Sequence, residues 1–208
     1  MASESRSNPK RPYRKRRRAE HEAETRQRIT EAAVDLHGSV GPARTTVKAV
    51  AERAGVQRAT VYRHFPTDES LFVACSAHWA SLNPAPDPVA WAALAEPAAR
   101  LRVALSELYD WFEWAEPMLS RTMRDGLLVP AMAVPRERFQ SHFEAMVAAL
   151  VRGRPERGRR RQWITAAIGH VIAFSTWQTL VRVQGLDRDS AIDLMCELVA
   201  ASARMPAR

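Results

Sequence analysis

Apolar side chains recur at helical spacing along almost the whole chain. Ile29, Ala32, Ala33 and Leu36 follow i, i+3, i+4, i+7 and predict a first helix from about residue 20, ending between Gly38 and Gly41 with Pro42 beyond. Val47, Val50, Ala51 and Ala54 repeat the spacing. Thr45 or Thr46 opens this second helix as N-cap, and Gly55 stands just past its end, where a left-handed backbone is needed. A third, short helix runs to Phe65. Pro66 and Thr67 then break and recap the chain, and Leu71, Cys75, His78, Trp79 and Leu82 mark one face of a fourth helix. Pro84, Pro86 and Pro88 cannot continue a helix and mark the exit from a first domain.

Beyond that exit the pattern predicts helices near 97–115, 117–125, 136–152, 158–183 and 188–204, separated by Pro117, by the stretch 126–135, by the arginine-rich stretch 152–161 and by Gly185. No strand-like alternation competes. The predicted fold is all-α: a basic, disordered arm over 1–18, a three-helix head with a helix-turn-helix over 19–82, and a helical bundle over 83–208.

Residues 163–181 hold no Asp, Glu, Lys or Arg and are flanked by arginines, which has the look of a membrane span. His170, Gln178, Thr165, Ser175, Thr176 and Thr179 are too many polar groups for one helix facing lipid. A helix buried in a bundle or a dimer interface is the expectation, with no membrane partner.

Charge divides the chain more sharply than hydropathy does. The 208 residues carry a formal +8, yet residues 1–18 hold eight Lys or Arg against Glu4, a net +7 that leaves +1 for everything else. A cationic tail suits a polyanion, nucleic acid or an anionic surface; its other reading is a solubilising tail. The N-terminus has no apolar run before Ile29, so no secretory signal is expected. Cys75 and Cys196 stand far apart within apolar helical patterns and fit two buried thiols in a reducing cytoplasm rather than a disulfide or metal site.

Helices two and three have helix-turn-helix spacing, and each special position has a steric reason. Ala51 lets the helices cross closely, Gly55 supplies positive φ for the turn, and Val61 is a branched apolar contact for the third helix. With Val61 and Phe65 inward, the third helix turns Arg58, Thr60, Arg63 and His64 outward, with Tyr62 to one side. An arginine fork pairs with guanine O6 and N7, a threonine methyl meets a thymine methyl, and tyrosine or histidine donates to phosphate. Tyr62 as a packed core aromatic and Arg63 as a merely solvated charge are the plainer readings. Thr46 serves as N-cap and as a phosphate site at a helix N-terminus. Lys15, Arg16, Arg17 and Arg18 are expected to track phosphates or enter an adjacent minor groove.

From Thr25 to about Leu82 the chain resembles the TetR family of bacterial transcriptional regulators: TRQRITEAA opens the first helix, TTVKAVAERAGV covers the second and its turn, and RATVYRHFPTDESLF spans the third and the start of the fourth. The resemblance implies that Thr46, Thr60, Tyr62 and His64 take the family's DNA-contact places, with Arg58 and Arg63 at variable, specificity-setting ones. It also implies a homodimer on double-stranded operator DNA, and a body that binds a small-molecule effector and releases the operator when filled. Two residues depart from the family pattern. Asp68 stands where the family often has a phosphate-gripping lysine, and a carboxylate there repels DNA. Gln57 replaces a serine-like cap of the third helix.

One head reaches one short half-site, so a dimer is expected to hold two heads at fixed separation. Trp163, Ala167, His170, Phe174, Trp177 and Val181 make one stripe and Ile192, Met195, Cys196 and Val199 another; Trp163, Phe174, Ile192, Met195 and Val199 are the candidate interface, or else an intrachain core. Trp111, Trp114, Met118, Met123, Phe143 and Trp177 are candidates to line a pocket for a flat or apolar ligand, or else plain core, with Arg121, Arg124, Asp125 and His142 as polar anchors. The chain shows no glycine-rich phosphate loop, no clustered Cys or His ligands and no nucleophile elbow, so neither an enzyme, a cofactor nor a metal is expected.

Overall fold

The computed structural model describes residues 10–205. Among them every regular element is helical. Four helices form the head: α1 Lys10–Ser39, α2 Val47–Ala54, α3 Arg58–His64 and α4 Asp68–Leu82. Six form the body: α5 Pro88–Ala92, α6 Pro97–Asp125, α7 Ala133–Val151, α8 Gly158–Val171, α9 Phe174–Trp177 and α10 Arg188–Arg204.

Head helices start and stop on local chemistry. The Thr46 hydroxyl accepts from the Ala49 amide at 3.1 Å and caps α2. Gly55 closes α2 at φ 65°, and the Val56 amide reaches back to the Ala51 carbonyl at 2.9 Å. Thr67 and Ser70 form a reciprocal capping box at the start of α4. These helices enclose Ile29, Ala33, Val50, Ala51, Val61, Phe65, Leu71 and Cys75. The predicted α4 face is buried at Leu71 and Cys75 but not at its end, where Leu82 is exposed. His37 lies inside this core, stacked on Phe72 at 4.6 Å with its Nδ1 3.5 Å from the Cys75 sulfur. Burial pushes its imidazole down to about 4 and the Cys75 thiol up to about 12.

Besides the unpredicted short helix α5, the structure departs from expectation at the arm, at Pro117 and over 158–183. The first concerns the arm: α1 begins at Lys10, so residues 10–18, expected to be disordered, are helical, while 1–9 lie outside the described residues. Arginine and glutamate are good helix formers, and Arg16 pairs with Glu20 at 2.8 Å and Arg18 with Glu22 at 3.1 Å, one turn apart. The second is Pro117, which does not divide α6. Its missing N–H frees the Glu113 carbonyl, but Phe112, Ala115 and Leu119 remain buried on one face and hold the helix together. The third is the long helix expected over 158–183. It breaks at Ile172 and Ala173, bends by 63° and continues through α9 into a π-helical turn, Gln178–Val183. Ile164, Ile168, Val171, Ile172, Phe174 and Trp177 are thereby all buried in one core. No single helix among the described residues is long and apolar enough to cross a membrane.

The body core runs from Trp91 through Leu101, Leu105, Leu108 and Phe112 to Leu150, Ile168, Trp177 and Ile192. Arg100 is buried and donates to the carbonyls of Leu94, Ala149 and Arg152, fastening the end of α7 to the start of α6. Arg102–Asp193 at 2.6 Å and Arg188–Asp110 at 2.9 Å tie α10 to α6.

Head and body meet at the other end of α6. Asp125, 2% exposed, accepts the Ala43 amide at 3.0 Å on Oδ2 and the Arg124 guanidinium at 2.7 Å on Oδ1. Arg124 first, then the Ala43 amide, holds its carboxyl below the usual range. Gly41, at φ 95°, lies so close that a Cβ there would strike the Arg124 guanidinium and the Asp125 carboxylate. Trp79 on α4 adds a second joint, 6.1 Å from Trp111 and 6.2 Å from Trp114 on α6.

His37 gives the fold a pH signature. Its folded pKa lies below its unfolded value of about 6.5, so the unfolded state binds the extra proton and stability falls as pH drops from about 6.5 to about 4. The expected loss is about 3 kcal/mol, read from urea midpoints across that window. His37→Gln should flatten the dependence; an unchanged slope in the variant counts against the assignment.

Candidate nucleic-acid interface

The candidate surface is built on α3, anchored inward by Val61 and by Phe65 at its C-cap, 1% and 2% exposed. That anchoring turns Arg58, Ala59, Tyr62 and Arg63 to the outside and leaves Thr60 and His64 half-buried. Tyr62 is 44% exposed, which rules out the packed-core reading of its ring. Thr46 is also exposed, so its hydroxyl is at the surface while it caps α2.

Helix α3 is fastened unequally at its two ends. Gln57, at its N-cap, makes no side-chain capping hydrogen bond, as expected from its amide replacing a short hydroxyl. At the other end the Arg26 guanidinium of α1 donates to the His64 carbonyl at 2.6 Å and lies over the Phe65 ring at 4.1 Å. Between α1 and α3 runs a groove of about 230 Å³, lined among others by Thr25, Arg28, Gln57, Thr60, Arg63 and His64. The His64 Nε2 is buried without a hydrogen-bond partner. Burial first, then the Arg63 and Arg26 charges, lowers its pKa.

Along α1 the arm residues Lys15, Arg16, Arg17 and Arg18 are all exposed. Arg16 and Arg18 share their charge with Glu20 and Glu22, while Arg17 lies 5.9 Å from the Tyr13 ring. Asp68 is exposed in the first turn of α4, favourable to the helix N-terminus and adverse to an approaching phosphate.

The body candidates fare differently. Phe174, Ile192, Met195 and Val199, expected at a dimer interface, are buried within this chain's own core, and Trp163 is half-buried with Arg159 5.1 Å from its ring. Helical period finds the apolar face but not what covers it; here α6 and α8 cover α10. His170, grouped in the same stripe, is exposed. The outward strips are instead Ala166 and His170 on α8, and Leu194, Leu198 and Ala201 on α10.

The candidate ligand residues differ widely in exposure. Trp177 is sealed in the core, Trp114 and Met123 are 58% and 43% exposed, and Trp111, Met118 and Phe143 are half-buried. Two expected anchors, Arg124 and Asp125, are engaged in the head–body joint, and Arg121 folds onto the Pro117 carbonyl. Trp111 Nε1 and His142 Nε2 are buried without partners.

Local pattern did not reveal Arg26, whose hydrogen-bond partner lies 38 residues away, or the Asp125 joint, which spans 82. The glycine and proline at 41 and 42 signalled a special turn there, but not its partner.

Comparison with known proteins agrees with this geometry. Residues 29–75 match the family described as bacterial regulatory proteins, tetR family. Similar solved structures include a TetR-like transcriptional regulator from Rhodococcus sp. RHA1, 20% identical at TM-score 0.60, covering 85% of this chain and 93% of that one. A tetR-family transcriptional regulator from Streptomyces coelicolor is 21% identical at TM-score 0.56, covering 86% and 79%. The TetR family transcriptional regulator PfmR from Thermus thermophilus is 20% identical at TM-score 0.55, covering 86% and 99%. At these identities the likeness is one of fold. A search of curated proteins gives no match.

The bare N-cap of α3 yields a test. Gln57→Ser should stabilise the protein by about 0.5–1 kcal/mol, seen as a higher urea midpoint at unchanged slope. No gain would mean the α3 N-terminus is already satisfied by other groups.

Proposed function

Taking the TetR-family head at residues 29–75 as premise, we propose that the chain is a homodimeric transcription regulator reading a two-fold symmetric operator through α3. The observation that carries this is the outward display of Arg58, Tyr62 and Arg63 on a helix anchored by Val61 and Phe65. In this reading Arg58 and Arg63 read base edges, Thr60 touches a thymine methyl, and Tyr62, His64 and Thr46 hold phosphates. The exposed cations Lys15, Arg16, Arg17 and Arg18 add grip along the backbone and offset the adverse Asp68.

The second copy docks on the outer strips of α8 and α10. Leu194 and Leu198 are 47% and 41% exposed at helical spacing, and two such helices from each subunit make a four-helix interface. Repression is relieved when an effector favours a head spacing that mismatches the two half-sites, affinity falling by the difference in its binding to the two forms. The buried, unpartnered ring nitrogens of Trp111 and His142 favour an aromatic effector with hydrogen-bonding groups. A regulator not gated by a small molecule is the second reading, favoured by the scatter of the candidate ligand side chains between core and surface.

Selection of bound sequences from random duplexes, at stated salt, is expected to enrich a two-fold symmetric site; an unsymmetric product sinks the dimeric reading. On that site Tyr62→Phe should weaken binding across all sequences, whereas Arg63→Ala should relax preference at particular bases. Identical behaviour of the two variants refutes the division of roles. Leu194→Asp with Leu198→Asp should yield monomers in sedimentation and cost DNA affinity, whereas a surviving dimer moves the interface elsewhere.

A further inference from the structure

We propose that Arg26 is the positioning residue of the recognition helix, fixing the angle of α3 without touching DNA; this rests on the reading of α3 as the DNA-reading element. Helix α3 has seven residues and no side-chain cap at Gln57, so its N-terminal end is held only by the turn from α2 and by core contacts. Its C-terminal end follows a different logic. Phe65 leaves helical geometry at φ −135°, ψ 87°, and Pro66 follows it, so the last carbonyls of α3 cannot be satisfied by a continuing helix.

Arg26 fills that role from another helix. Its guanidinium donates to the His64 carbonyl at 2.6 Å and stacks over the Phe65 ring at 4.1 Å, so one planar group meets both a helix-terminal acceptor and an aromatic face. A positive charge at a helix C-terminus is also favoured by the helix dipole. Arg26 sits one residue past Thr25, where α1 enters the head core, and its own carbonyl accepts the Thr30 hydroxyl at 3.0 Å. Its backbone is thus fixed within α1, while its side chain reaches across the surface to α3. A groove separates much of α1 from α3, so this strap controls how far the reading face can swing. The guanidinium is exposed, but one face lies on Phe65 and its Nη1 is committed to the His64 carbonyl, so its orientation is set by α3 and not by a phosphate.

The test uses the full chain, the operator enriched by selection and a scrambled duplex, with affinity measured over a salt series. Arg26→Ala should lower operator affinity about tenfold, close to the value of one hydrogen bond to a charged group, while affinity for the scrambled duplex and the slope of log K against log salt stay unchanged. Arg26→Lys, a point charge without a fork, should leave most of the loss in place, and Arg26→Gln should recover part of it through its amide donor. If Arg26→Ala fails to fold, these two variants carry the comparison with the same expectations.

The proposal is overturned if operator and scrambled duplex weaken equally and the slope falls by about 0.9, since Arg26 then grips a phosphate itself. Full rescue by Lys, or no loss on removal, overturns it as well. Wild-type protein with no preference for the operator would instead defeat the DNA-reading assignment.

Discussion

The joint between Asp125 and the turn at Gly41 and Ala43 decides what the rest of the structure can do. A buried carboxylate is costly unless paired and hydrogen-bonded, and this one is both: Arg124 forks onto it and the Ala43 amide donates to it. The chain reaches it only because Gly41 has no side chain and takes a positive φ. Since the turn leads from α1 into α2, its fastening to the last residue of α6 fixes the head on the body. Any displacement of the C-terminal half of α6 is therefore felt where the helix-turn-helix begins.

Helix α6 connects the two ends of the molecule. Its 29 residues span about 43 Å, carrying Arg100 and its clasp on the end of α7 near one end and Asp125 and its hold on the head at the other. Between them Trp111 and Trp114 meet Trp79 of α4, so α6 touches the head by polar and by aromatic contacts. On its other side Glu116 pairs with Arg182 at 2.9 Å and Ser120 accepts from Gln178 at 3.2 Å, both partners lying on the π-helical turn. The proline-bearing stretch of α6 and the π-helical turn over 178–183 thus face one another.

The head was legible in the sequence because its determinants are local. Thr46, Ala51, Gly55, Val61 and Thr67 each act within a few residues of themselves, through caps, a left-handed turn and a close helix crossing. The outward display on α3 followed from the same period. Part of what escaped depended on distant partners. Helical spacing marked Ile192, Met195 and Val199 as an apolar face, but only the fold showed that their own chain covers them and leaves Leu194 and Leu198 outside. Pro117 looked like a boundary because a local rule says so, and packing on both sides of it overrode the rule. In the arm, like charges suggested disorder, whereas Glu20 and Glu22 one turn along stabilise the helix that contains them.

We propose that α3 lies in the major groove at two symmetric half-sites. Protection of guanine N7 from methylation on the selected operator measures this directly, because that atom is exposed only there. The account predicts two protected clusters related by the operator dyad, about one helical turn apart or a multiple of it, lost at particular guanines when Arg58 or Arg63 is replaced. Protein bound at full occupancy with guanine N7 unprotected, or protected in a single unsymmetric patch, would contradict it.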